Sequence, residues 1–130
     1  MLKQRPAGDK SWPIACSDTT LGTTDKELDL SGAHLSYGDF QDATFIGTGT
    51  IKLNGAGLAH ADLSGSKLTA DGGWGDSLIG FTDANLTNAD LSDSELIATH
   101  NGNYGSSTID FSKADLTNAD LSGSELGSTS

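Results

Sequence analysis

Ala84-Asn85-Leu86-Thr87-Asn88 and Ala89-Asp90-Leu91-Ser92-Asp93 spell one pattern twice in succession: a small residue, Asn or Asp, leucine, then two polar residues. The pattern returns at Ala114-Asp115-Leu116-Thr117-Asn118 and Ala119-Asp120-Leu121-Ser122-Gly123. Outward from these stretches, leucine or phenylalanine stands at every fifth position in four blocks. They are Leu30, Leu35, Phe40 and Phe45; Leu53, Leu58, Leu63 and Leu68; Phe81, Leu86, Leu91 and Leu96; and Phe111, Leu116, Leu121 and Leu126. Internal repetition of this kind sets the architecture before local propensity does. Two residues before the centres stand small residues such as Ala33, Ala56, Ala84 and Ala114, or the branched Ile51, Ile79 and Ile109. Large and small apolar residues therefore share one buried face.

A period of five matches neither secondary-structure rhythm, because helical faces need apolar residues at three and four and strand faces need them at two. It fits a chain that turns a corner at every repeat, with each centre and the residue two before it pointing inward. Four such turns close one coil. Four coils at the strand spacing of about 4.8 Å make a stack of roughly 19 Å, close to the fewest repeats that stand alone.

Across residues 28–127 these repeats closely resemble the A(D/N)LXX motif of the pentapeptide-repeat family. The resemblance implies an all-β fold, a right-handed quadrilateral parallel β-helix of about four coils. Its middle Leu or Phe and the residue two before it would fill a square interior. The departures are local: Gly38 and Leu28 replace the usual Ala, Gly57 replaces Asp or Asn, and three insertions interrupt the phase.

The chain of 130 residues is read as one domain. Its hydrophobic content of 35% is low for a globular core, but solenoid coils are covered by their neighbours rather than by a surrounding layer. The net charge is −11, and Lys3, Arg5 and Lys10 all fall in the first ten residues, so the repeats are more acidic than the whole. Direct nucleic-acid binding is disfavoured, because phosphate contacts need clustered Lys and Arg; a cationic protein remains a fitting partner. No apolar run is long enough to span a bilayer and the N-terminus lacks a signal-like apolar core, so a soluble chain is expected, without membrane insertion. Cys16 is alone, which leaves no internal disulfide and no Cys/His set for zinc.

Residues 1–27 hold both prolines and show no five-residue phase, so they are read as an N-terminal cap, with Trp12, Ile14 and Leu21 lying over the first coil. After the last centre, Leu126, come only Gly127, Ser128, Thr129 and Ser130. An open coil edge is a template for pairing, and the resemblance implies end-to-end association, so a homodimer or docking through the C-terminal coil is expected. The three breaks of phase fall between the fourth centre of one coil and the first of the next, which stacks the inserted loops at one corner. Loops on a rigid scaffold are where binding concentrates. Trp74 and Tyr104, with His100 beside the latter, are the candidate anchors.

Stacking the blocks also aligns Asp39, Asp62, Asp90 and Asp120 in one column on the third face. Like charges in neighbouring strands cost some tenths of a kcal/mol per pair, which invites a functional reading: an acidic stripe for a cationic partner. The competing reading gives these carboxylates a local backbone hydrogen-bonding role. The turn Asp71-Gly72-Gly73-Trp74-Gly75-Asp76 places two carboxylates on a glycine-rich loop, but it lacks the alternating ligands of a calcium loop and reads as ordinary turn chemistry. No metal site, cofactor or catalytic constellation is expected, because a filled solenoid implies no cleft in which nucleophile and base converge. His34 and His60 lie on the second face but are offset, so a shared site is not expected. Asn85-Leu86-Thr87 matches a glycosylation pattern inside a repeat whose Leu86 faces the core, and is read as coincidence.

The function expected is non-enzymatic: a rigid acidic solenoid that binds another protein through its corner loops, acidic face or C-terminal end. The resemblance implies two narrower alternatives. One is an accessory subunit of a large photosynthetic complex in the thylakoid lumen; for the chain itself the compartment is left open between cytoplasm and thylakoid lumen. The other is inhibition of a type II topoisomerase by charge mimicry of DNA, although such inhibitors are usually longer rods.

Overall fold

The computed structural model describes residues 14–102 and 105–129, and over them the chain is an all-β parallel solenoid of about four turns without a helix. Nine short strands alternate between two sheets: β1 (Thr20–Gly22), β2 (Leu28–Asp29), β3 (Thr44–Thr48), β4 (Thr50–Lys52), β5 (Lys67–Asp71), β6 (Ser77–Gly80), β7 (Glu95–Thr99), β8 (Ser107–Asp110) and β9 (Glu125–Thr129). The odd strands form one sheet in the order β1-β3-β5-β7-β9 and the even strands the other, β2-β4-β6-β8, with every pairing parallel. Two further faces are held by single parallel bridges. One runs from His34 through Gly57 and Asn85 to Asp115, the other from Ala15 through Asp39, Asp62 and Asp90 to Asp120. Four ladders make four faces, as the five-residue period implies.

The corner after each of the first three centres of a coil is a tight turn. The N–H of the residue three after a centre returns to the centre's carbonyl, as in Ala84 N to Phe81 O at 2.9 Å and Ala89 N to Leu86 O at 2.9 Å. The residue two after the centre has positive φ, including Tyr37, His60, Asn88 and Asn118 at 57–61°. Positive φ at the third position of a four-residue turn is the signature of type II, which explains why Gly, Asn and Asp fill most of these sites. Outside the turns, N–H groups point along the stack to the next coil, as in Leu58 N to Asn85 O at 2.7 Å. Backbone polarity is satisfied between coils, and the interior is left to side chains.

That interior is filled. Leu35, Phe40, Ile51, Leu68, Ile79, Phe81, Leu86, Leu91 and Leu96 are fully buried, with Ala33, Ala43, Ala70 and Ala98 beside them. Phe81 and Phe111 stack at 4.7 Å between centroids. Gly38 departs from alanine for a visible reason: a Cβ there would fall 2.5 Å from the ring of Phe40. On the first face the inward position is a column of branched residues, Leu28 paired with Ile51 and Ile79 with Ile109.

The stretch before the repeats is more regular than its sequence suggests. Cys16 N donates to Asp39 O at 2.7 Å and Leu21 pairs with Phe45, so Cys16 and Leu21 occupy the columns of Phe40 and Phe45 one coil earlier. Ile14 is buried in the slot above Gly38. Residues 14–22 thus add half a coil in phase; Trp12 lies outside the described residues. Burial, and secondarily the charge of Asp39, push the Cys16 thiol up, which keeps it protonated and unreactive. No helix among the described residues is long and apolar enough to cross a membrane.

Candidate functional site

The turn chemistry of the third face creates its carboxylate ridge. Asp62 Oδ1 accepts from Ser64 N at 3.0 Å and Ser64 Oγ at 2.6 Å; Asp90 and Asp120 make the same pair of bonds with Ser92 and Ser122. Asp39 accepts from Gln41 N at 3.1 Å. Each carboxylate is therefore fixed by a bond two residues along its own chain, and parallel bridges hold the four in register. The motif recurs away from the ridge, at Asp29–Ser31, Asn85–Thr87, Asp110–Ser112 and Asp115–Thr117. A backbone role accordingly explains why Asp or Asn stands at this position on three faces. It does not explain why the third face carries four carboxylates where the second carries His34, Gly57, Asn85 and Asp115. For Asp110, Asp115 and Asp120 the Ser or Thr hydroxyl is the largest cause, with the backbone N–H second, that holds the carboxyl below its ordinary range.

A second set of carboxylates flanks the ridge at the corner after the third face, where Asp18, Asp42 and Asp93 adopt positive φ. Gly65 and Gly123 take the same corner position one coil below Asp42 and Asp93, and a Cβ on either would meet the Oδ1 above it at 2.2 Å. From Asp42 to Gly123 acid and glycine alternate, and glycine follows each of Asp42 and Asp93 because the carboxylate folds over the next coil.

The inserted loops meet at one corner, between the fourth and first faces. Asp76 Oδ1 accepts from Ser106 N at 2.8 Å and Ser106 Oγ at 3.2 Å, and Asn101 N donates to Gly73 O, so the second and third loops are tied together. Trp74 is 81% exposed, and its ring edge lies against Gly102. Tyr104 falls outside the described residues. His100 is turned inward: it is buried, with Nδ1 2.7 Å from Ser107 Oγ, which in turn lies 3.0 Å from Ser77 Oγ. Its ring secures the base of the loop rather than facing outward. Asp71 and Asp76 serve different partners, Gly73 N and Ser106, and no group of three metal-ligating side chains gathers among the described residues.

One pairing goes beyond the sequence reading. Tyr37 and His60 stack face to face at 4.7 Å with planes 6° apart, at the outer corner of the second face. Both stand two residues after a centre, Leu35 and Leu58, so the repeat register could have found them. Asn85, the potential glycosylation residue, uses its Oδ1 to accept from Thr87 N and Oγ1.

The model of the pentapeptide repeats family matches residues 109–129. Solved structures that match include a pentapeptide repeat protein (Rfr23) from the cyanobacterium Cyanothece 51142. It is 19% identical, with 70% of this chain and 58% of that chain covered and a TM-score of 0.18. Another is HetL, a pentapeptide repeat protein involved in heterocyst differentiation regulation from Nostoc sp. strain PCC 7120. It is 24% identical, with 85% of this chain and 56% of that one covered and a TM-score of 0.19. The chain thus spans less than two thirds of either protein. No curated protein matches it.

Proposed function

The chain belongs to the pentapeptide-repeat family, and from that premise we propose that it acts without catalysis, as a rigid solenoid whose third face recognises a cationic surface on another protein. The observation that carries this reading is the ridge of Asp39, Asp62, Asp90 and Asp120, four carboxylates in register with each side chain fixed by a local hydrogen bond. Fixed charges about 4.8 Å apart lie well within a Debye length of about 10 Å at 0.1 M salt, so a facing cationic surface feels them together. Because the carboxylates are already ordered, a partner's Lys or Arg meets them with little further loss of side-chain freedom.

The test is affinity purification of the tagged protein from its native cells, run beside a variant with Asp62→Asn, Asp90→Asn and Asp120→Asn. Asparagine keeps the Oδ1 acceptor of each turn, so only charge is removed. A partner that accompanies the wild type, is released by salt and is absent with the variant supports the ridge; undiminished recovery with the variant removes it.

A second reading, docking through the last coil, is favoured by its apolar edge, where Leu116 is 36% and Leu126 46% exposed. In the same purification, Leu126→Lys would then release the partner while the triple asparagine variant retains it.

A further inference from the structure

On the outside of the fourth face, next to the face that carries the aspartate ridge, a half-open cavity of about 590 Å3 runs along β3 and β5. Strand alternation builds its floor. Phe45 and Leu68 turn into the core, while Thr44, Ile46 and Thr48 on β3, and Lys67, Thr69 and Asp71 on β5, turn outward. Gly72, Gly73 and Thr24 close one end, and Thr48 Oγ1 donates to Thr24 O to hold that wall in place.

The chemistry of the groove is asymmetric along its length. Lys67 marks one end; it is exposed and has no ion pair among the described residues, although Glu95 is its register neighbour. Asp71 marks the other end; its Oδ1 accepts from Gly73 N at 2.9 Å, and its second oxygen has no partner among the described residues. Four residues of strand separate them, roughly 13 Å at about 3.3 Å per residue. Between the charges lie Ile46 and its register neighbour Thr69, with Thr44 beside Lys67 and Thr48 beside Asp71, so that the floor offers aliphatic carbon together with threonine side chains.

We propose that this groove binds a short apolar peptide of about four residues with both termini free, its carboxylate at Lys67 and its ammonium at Asp71. An extended tetrapeptide matches the spacing of the two residues along the strand, and the cavity falls in the size range of small-ligand sites, about 300–1,000 Å3. In a protein of net charge −11, an anion alone is repelled overall. A ligand that also brings an ammonium to Asp71 offsets that repulsion. The bound peptide runs antiparallel to β3 and β5. The site shares no residue with the ridge, so its failure and that of the ridge are separate results.

The experiment is calorimetric titration of the protein with an alanine–valine tetrapeptide, and with the same peptide acetylated at its N-terminus or amidated at its C-terminus. Acetylation is expected to weaken binding about tenfold in the wild type and to change nothing in Asp71→Asn. Amidation and Lys67→Gln form the matching pair. The Asp71→Asn substitution keeps a side-chain oxygen to accept from Gly73 N, so the loop stays closed. Equal binding of free and blocked peptides, or no heat with the free peptide at millimolar concentration, overturns the proposal. A free hexapeptide that binds as tightly as the tetrapeptide overturns it too, because it would show that the spacing of the charges is not read.

Discussion

Ala84-Asn85-Leu86 and Ala114-Asp115-Leu116 are nearly the same sequence at the same place on successive coils, yet Leu86 is fully buried and Leu116 is 36% exposed. Leu96 and Leu126 differ likewise, 0% against 46%. The turns are the same in kind: Ala84 N returns to Phe81 O and Ala114 N to Phe111 O at closely similar distances. What differs is the neighbour. Leu86 has coils on both sides, while Leu116 has one among the described residues. In a solenoid the local motif sets where a side chain points, and the stack sets whether pointing there removes it from water.

Truncating the same residue in both coils gives the largest expected effect. Leu86→Ala leaves a cavity between two coils and should cost about 2–5 kcal/mol of unfolding free energy. Leu116→Ala loses only part of a burial already incomplete and should cost about 1 kcal/mol. Denaturant melts of the two variants decide it. Equal losses would mean that the last coil is covered in solution, and the contrast would then belong to the isolated chain rather than to the protein as it stands.

Two glycines sharpen the same point at a smaller scale. Gly55 and Gly65 have nearly the same backbone, φ of 68° and 67°. A Cβ on Gly55 would meet nothing within 4 Å, whereas one on Gly65 would lie 2.2 Å from Asp42 Oδ1 in the coil above. Alanine at either site bears the left-handed penalty of about 1–2 kcal/mol. Gly65→Ala should lose more than Gly55→Ala, and the excess should vanish when Asp42 is also replaced by glycine. If the excess persists without Asp42, the clash between coils is not its cause.

The division between what the motif dictates and what the stack dictates is also the division between what the sequence made legible and what it did not. The centres, their inward neighbours and the shared corner of the insertions follow from a count of five, and the parallel ladders bear this out. The half coil at residues 14–22 escaped because Cys16 stands where Leu or Phe marks the period, and the chain departs from phase after Leu21. Two centres are too few to read as a repeat. The aspartate column was visible because register alone creates it, whereas the inward turn of His100 depends on how the loop closes on Ser107. Lys67 and Asp71 could be placed on one side of a strand from their spacing; the groove between them requires the path of the neighbouring loops.

The smallest expected effect isolates the motif from the stack. Asp120 lies on the last coil, where stacking is incomplete, yet its carboxyl is held below the ordinary range, first by the Ser122 hydroxyl and then by the Ser122 N–H. Both donors are local, so the shift should survive whatever covers the edge. A carboxyl depressed in the folded state stabilises the fold above its unfolded pKa, and that contribution is lost as pH falls through the carboxylate range to the depressed folded value. Ser122→Ala removes the larger donor and keeps the backbone one, so an NMR titration should find the Asp120 carboxyl moved upward toward its ordinary range, with the strand pairing of β7 and β9 unchanged. An Asp120 titration unaltered by the substitution would show that the hydroxyl does not hold the carboxyl down, and would leave the Ser122 N–H as the local donor that does.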